Sequence, residues 1–329
     1  MGGFSTDVLR YDVALEVERI CAKLREQVFE VLNRRGAVVG LSGGIDSSVV
    51  GALCARALGL NRVQGLLMPE RESAAETLEL SRILAERFQI PTEVEEITAV
   101  LESLGCYARR DTAIRSIAPD YGPGCKAKIV LPGATENASY NIFSVVIQMT
   151  DGTEKRVRLT PQSYLGIVAA TNFKQRVRTM LTYYYADKLN FAVAGTPNRL
   201  EYDQGFFVKT GDGAADVKPI AHLYKTQVYA MAEFLGVPER ICSRPPTTDT
   251  YPLAQGQDEF FFALPYSKMD LTLWAKDHGV PCGDVAAVVG LTPGQVERVY
   301  ADIDRKRHTT YYLHAEPLLV EEVLPREQA

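Results

Sequence analysis

The chain has 329 residues, with 36 Lys+Arg against 41 Asp+Glu and a formal net charge of −5, a length that suits one large α/β domain. The acidic balance gives no electrostatic footprint for broad nucleic-acid binding, and no apolar run approaches the roughly 20 residues that span a bilayer. The first residues are studded with acids and lack a signal-peptide core, and the six scattered cysteines contain no C-x-x-C pair. A reduced cytoplasmic setting is the expectation, with no support for zinc or thioredoxin-like readings.

Val13, Val17, Ile20, Leu24, Val28 and Val31 recur at spacings of three and four, which predicts a helix ending near Gly36. Residues 37–41 read as a short buried strand, and 47–58 as a helix closed by Gly59. A strand over 62–68, a helix over 73–88 and a strand over 92–97 follow. Alternating strands and helices with short connections argue for a doubly wound, mostly parallel sheet covered on both faces. Residues 117–132 are punctuated by Pro119, Gly122, Pro123, Gly124 and Pro132, which reads as a loop. Thr150-Asp-Gly-Thr153 between β-rich runs at 143–149 and 154–159 is a hairpin signal. Residues 107–160 are therefore expected to be a hairpin-containing insertion in a single domain over 1–329. Helical pattern returns at 172–189, a strand at 191–196, a long loop region at 197–223 and a helix at 224–235. Thr292-Pro-Gly-Gln295 has capping-box form and opens a last helix toward Arg307.

The most informative stretch is Val38 to Gly59, VVGLSGGIDSSVVGALCARALG. At the end of a parallel strand the next helix points its free N–H groups at the crevice where ligands bind. Ser42-Gly43-Gly44 can wrap backbone donors around an anion, because glycine permits close approach and positive φ. Asp46 would be repelled by bare phosphate, so its presence suggests Mg²⁺ between carboxylate and phosphate oxygens. The bland alternative is a turn in which Asp46 caps the helix. The motif is neither a Walker A loop nor a dinucleotide G-x-G-x-x-G. Strand–SGGxDS–helix resembles the pyrophosphate loop of the ATP pyrophosphatases, which cleave ATP between the α- and β-phosphates.

A second constellation, from Ala194 to Gly236, narrows the choice. Gly195-Thr196 is followed by Glu201, Gly211-Asp212-Gly213, Asp216 and Lys225-Thr226-Gln227. This looks like the GT-x-x-x-x-E, GDG-x-x-D and K-T/R-Q elements of the ammonia-dependent NAD synthetases. Asn172-Phe-Lys-Gln-Arg176-Val-Arg178 resembles that family's N-x-x-x-R-x-R segment, and Arg244 to Asp249 its P-x-[AT]-D loop. The resemblance implies an adenine nucleotide alpha hydrolase-like fold. It implies that Asp46 and Glu201 hold Mg²⁺ on ATP, and that Ser42, Gly43, Gly44 and Ser47 bind the leaving pyrophosphate. Lys225, Thr196 and Thr247 would stand beside the nucleotide. Asn172, Arg176, Lys209 and Asp216 would face deamido-NAD, with Tyr183 and Phe206 as nearby aromatics. Similar enzymes are homodimers with the deamido-NAD site across the subunit interface.

The implied chemistry is adenylation: the substrate carboxylate attacks the α-phosphorus of ATP, and ammonia then displaces AMP to give the amide. No enzyme nucleophile is required, in keeping with the lack of a Ser/His/Asp or Cys/His constellation. Asp212 or Asp216 could take the ammonium proton. The chain has no room for a fused glutaminase domain, so ammonia would be free or come from a separate glutaminase subunit. Two features depart from the family pattern: the insertion is long, and Asp258 to Tyr266 is more apolar than the segment it replaces. A related ligase acting on another carboxylic acid is the alternative reading. A tRNA-modifying relative would want a basic RNA surface, and a non-catalytic nucleotide-binding regulator would not need Asp46, Glu201 and Lys225 together.

Overall fold

The computed structural model describes residues 3–130, 143–246, 251–253, 256, 261–262 and 264–321. Its centre is a four-stranded parallel sheet in the order β3-β2-β1-β7, built from β1 (Ala37–Gly40), β2 (Val63–Leu67), β3 (Thr92–Val94) and β7 (Ala192–Ala194). Ala37 pairs with Val63 on one side and with Ala192 on the other. The central strands read as unbroken apolar runs because both faces are covered, as a parallel sheet requires. Val39 and Ala194 face a core shared with α1 (Val13–Arg25), α2 (Ile45–Leu58) and α8 (Lys225–Leu235). Val38, Leu66 and Val193 face the other way, onto Tyr185 and Ala186 of α6 (Pro161–Leu189). Val38, Val39 and Leu66 are fully buried, each contributing about 1.5–3 kcal/mol of transfer free energy. The expected doubly wound fold is present.

The Asp-Gly hairpin also forms. β5 (Ser144–Gln148) and β6 (Glu154–Arg158) pair antiparallel with Val146 opposite Arg156. A third strand, β4 (Lys126–Val130), joins β5 from within the stretch read as a loop. The prolines and glycines there form only the approach, and the alternation Ala127-in, Lys128-out, Ile129-in is a half-buried strand too short to stand out.

Helix α6 differs from its expected span. It runs for 29 residues and starts at Pro161, where Thr160 and Ser163 form a capping box. Its first half packs on α5 (Cys106–Arg115) and on the core under the small sheet. A helix buried on several sides has no single apolar stripe, which hid its beginning. α3 (Ala75–Arg87) and α4 (Thr98–Ser103) flank β2 and β3 in sequence, while α7 (Arg199–Gln204) sits inside the predicted 197–223 loop. α9 (Glu239–Cys242) follows α8, and α10 (Tyr266–Asp277), α11 (Cys282–Val289) and α12 (Pro293–His314) pack together at the C-terminal end.

Candidate active site

β1 ends at Gly40, and the chain turns through Ser42-Gly43-Gly44 into the N-terminus of α2. Gly43 has φ +67, and a Cβ there would stand 2.6 Å from the carbonyl oxygen of Thr77. Only glycine fits that position without a backbone shift. The turn is pinned by hydroxyls: the Ser42 N–H donates to Ser47 Oγ at 3.2 Å, the two serine Oγ atoms lie 3.1 Å apart, and Ser47 Oγ donates to the Gly44 carbonyl. Gly44 caps α2 in an extended conformation with no side-chain bond to the helix. Asp46 is therefore not the helix cap, and its carboxylate is turned to other partners.

Those partners come from the far end of the sequence. The Lys225 ammonium, 1% exposed, is bonded to Asp46 Oδ2. Asn198 Nδ2 donates to Asp46 Oδ1 at 3.2 Å. Asn198 also exchanges bonds with Glu201: the Glu201 N–H donates to Asn198 Oδ1, and the Asn198 N–H to Glu201 Oε2, both at 3.2 Å. Burial first, and then the Asp46 charge, push the Glu201 carboxyl up to about 8, and Lys225 only partly offsets this. Burial works against the Lys225 charge, but Asp46 and Glu201 outweigh it and hold its pKa above the ordinary lysine range. Asp270, from α10, accepts the Lys225 N–H at 3.2 Å and the Thr226 N–H at 2.7 Å, closing the free N-terminus of α8.

The turn, Asp46, Glu201 and Lys225 open on a cavity of about 620 Å³, within the range of small-molecule sites. Ser42, Gly44, Asp46 and Ser47 line it, with Thr196, Glu201 and Lys225. Asn172, Phe206 and Asp212 line it as well. Phe206 stacks on Phe261 with ring centroids 4.8 Å apart. Asp212 Oδ1 accepts the Val208 N–H at 2.7 Å. Desolvation by the surrounding protein raises the Asp212 carboxyl pKa, with the accepted Val208 N–H and the Arg178 charge opposing it.

Gly43 and four other expected residues lie outside the cavity lining. Asp216 Oδ2 accepts the Val193 N–H at 2.7 Å, tying its loop to β7, and Tyr183 donates to Asp216 Oδ1 at 3.4 Å. Lys209 donates to the carbonyls of Tyr312 and Ala315 at 2.6 and 2.9 Å, capping the end of α12. Arg176 is exposed, with Nη2 3.5 Å from the Lys209 carbonyl. Residues 247–249 of the P-x-[AT]-D loop, Thr247 among them, and residues 258–260 and 263 lie outside the described residues.

Several site residues escaped the sequence reading. Gln175, Arg178 and Thr182 line the cavity beside the expected Asn172, at the three- and four-residue spacing of one helix face. Arg176 and Arg178, two apart, must point to different sides, so Arg178 enters the cavity and Arg176 does not. Asn198 was legible as the first residue of an Asn-x-x-Glu capping box. A buried charge cluster carried no local signal. Lys174 Nζ binds Glu70 Oε1 at 2.9 Å and Glu72 Oε2 at 2.7 Å, Arg110 Nη1 binds Glu72 Oε2 at 2.7 Å, and the Tyr107 hydroxyl donates to Glu70 at 2.6 Å. Burial alone would raise the Glu72 pKa, but Arg110 and Lys174 outweigh it and hold it low. The cluster fixes the end of β2 to α5 and α6.

A glycine-serine anion turn at the C-terminal edge of a parallel sheet, faced by a buried lysine and two carboxylates, defines a nucleotide-binding α/β protein equipped to handle phosphates. A family model described as NAD synthase matches residues 16–117 and 128–311. The chain belongs to that family. It is 56% identical over 316 residues to a relative from Mesorhizobium japonicum named NH(3)-dependent NAD(+) synthetase, covering 96% of this chain and 99% of the relative. It is 36% identical over 282 residues to a relative of the same name from Thermotoga maritima, covering 86% and 92%. The solved NH3-dependent NAD synthetase from Campylobacter jejuni has the same fold, with a TM-score of 0.62 at 23% identity, covering 95% of this chain and 100% of that one.

Proposed function

We propose that the chain is an ATP-dependent ligase that converts deamido-NAD and ammonia to NAD through an acyl-adenylate, releasing AMP and pyrophosphate. The observation that carries this reading is the Asp46–Lys225–Asn198–Glu201 constellation at the phosphate turn, in a chain 56% identical to a curated NH(3)-dependent NAD(+) synthetase. A carboxylate is a poor electrophile toward ammonia. Transfer of AMP to it turns its oxygen into part of a good leaving group.

Backbone N–H groups of the turn and the hydroxyls of Ser42 and Ser47 receive the pyrophosphate end of ATP, where negative charge grows as the α–β bond breaks. Asn198 and Lys225 fix the Asp46 carboxylate from both sides. The donor set fits a divalent cation: burial first and then the Asp46 charge raise the Glu201 carboxyl to about 8 despite Lys225, and a metal ion would add the positive charge that favours both carboxylates. Asp46 and Glu201 would hold Mg²⁺, which when bound neutralises phosphate oxygens and withdraws electrons from the reacting phosphorus. Asn172 and Phe206 face the deamido-NAD part of the cavity, and Asp212, open to water, takes the proton that ammonium must lose.

Arg176, Tyr183, Lys209 and Asp216 reach substrate, in this reading, from a second subunit or after a local rearrangement. Exposed Met180 and Tyr184 beside Arg176 on α6 support a homodimer. Residues 107–160 form an insertion in one domain over 1–329, ammonia is taken free or from a separate glutaminase subunit, and the enzyme works in the cytoplasm. Labelled pyrophosphate exchange tests the adenylation step. Label should enter ATP only when deamido-NAD is present, with ammonia absent. Exchange driven by a different carboxylic acid, and not by deamido-NAD, would move the protein to another acceptor.

A further inference from the structure

Charge around the phosphate turn is short on the positive side for a bound triphosphate. Lys225 is engaged with Asp46, and Lys174 with Glu70 and Glu72. Glu201 and Asp212 add acid to the same cavity. Arg178 stands near Asp212, where its charge opposes only part of the burial that raises that carboxyl, and donates toward the Met68 carbonyl.

Arg244 is placed differently. It follows α9, is half-buried, and lines the cavity with Ser42, Gly44 and Ser47. Its Nη2 donates to Thr77 Oγ1 at 3.2 Å. Thr77 is the residue against which the turn is packed, since its carbonyl oxygen blocks the Cβ position of Gly43 at 2.6 Å. The guanidinium is thus anchored beside the backbone of the turn, and among the described residues no carboxylate pairs with it. A guanidinium is always charged and offers five donors in a planar fork suited to phosphate oxygens.

We infer that Arg244 binds the β- and γ-phosphate oxygens of ATP and the pyrophosphate they become. This rests on the ATP-splitting reading above. When the substrate carboxylate oxygen bonds to the α-phosphorus, the bridging oxygen departs with its electron pair on pyrophosphate. A fixed cation at that end meets the charge as it develops. AMP, which lacks both outer phosphates, has nothing for Arg244 to hold.

Calorimetric titration of the full chain with inorganic pyrophosphate and with AMP, both with Mg²⁺, tests this. Arg244→Gln should weaken pyrophosphate binding about 10- to 100-fold, as loss of a charged hydrogen-bond partner does, and leave AMP binding within about twofold. Arg244→Lys should recover part of the loss. Arg240→Gln removes one positive charge from a surface pair with Glu79 and should change neither ligand. Unchanged pyrophosphate affinity in Arg244→Gln, or equal weakening of pyrophosphate and AMP, would overturn the assignment. Wild-type turnover with deamido-NAD, read on the same preparation, separates this outcome from failure of the ligase reading.

Discussion

The Lys225 ammonium is bonded to the Asp46 carboxylate across 179 residues of chain. The contact joins the N-terminal turns of α2 and α8, and it unites the two motifs that were recognised separately in the sequence. Breaking it should affect folding and chemistry differently. Asp46→Asn leaves a buried ammonium without its counter-charge, which costs about 3–5 kcal/mol, and lowers kcat at least about 100-fold. The double variant Asp46→Asn/Lys225→Met should regain much of the stability and none of the turnover. Urea unfolding and a steady-state assay check this, and recovery of turnover in the double variant would contradict the site assignment.

Asp270 closes the N-terminus of α8 and is fully buried. Burial raises its carboxyl from 3.8 to about 6, with the N–H bonds of Thr226 and Lys225 opposing. A folded-state pKa above the unfolded one means that the folded state binds the proton more tightly. The group's contribution is therefore greatest below pH 4, declines as pH rises from about 4 to 6, and is flat above. The stability difference between wild type and Asp270→Asn should shift by about 3 kcal/mol over that window, in the direction of a less favourable wild type at pH 7. Urea midpoints at pH 4.5, 5.5 and 7 measure it, and a pH-independent difference would refute it.

Gly43 and Gly44 are adjacent and unequal. Gly43→Ala meets a positive φ and the Thr77 carbonyl, whereas Gly44 has φ −88 and only Ser42 Oγ at 3.4 Å from a Cβ. Gly43→Ala should destabilise by at least about 1–2 kcal/mol and abolish detectable ATP binding. Gly44→Ala should fold with a near-wild-type melting temperature. Equal melting temperatures would show that the turn does not need its left-handed residue.

Arg178 and Arg176 test the reading of α6. Arg178→Ala should lower kcat/KM about 10- to 100-fold, whatever the protein concentration. Arg176→Ala should raise KM for deamido-NAD and leave KM for ATP unchanged. Indistinguishable kinetic defects would mean that the helix face defined by Asn172, Gln175 and Arg178 is not the functional one.

How much of this was legible in the sequence depends on the range of the interaction. The β1–turn–α2 unit was legible because a strand buried on both faces is an unbroken apolar run and the glycine turn is local. The β5–β6 hairpin announced itself through Asp151-Gly152. Asn198 and the start of α6 carried capping boxes, local signals that loop punctuation and mixed burial obscured. Asp270 and the Lys174–Glu70–Glu72–Arg110 cluster had no such signal. Their partners lie from 38 to 104 residues away, and pairs at that range leave no periodicity in a single sequence. The motif N-x-x-x-R-x-R drew attention to Arg176, while helix geometry turns Arg178 inward.

The most direct measurement is the product balance with ATP, ammonium and deamido-NAD as substrates. NAD, AMP and pyrophosphate should appear in equal amounts, with none of the three formed when deamido-NAD is omitted. ADP and inorganic phosphate in place of AMP and pyrophosphate, or ATP cleavage without NAD formation, would contradict the account.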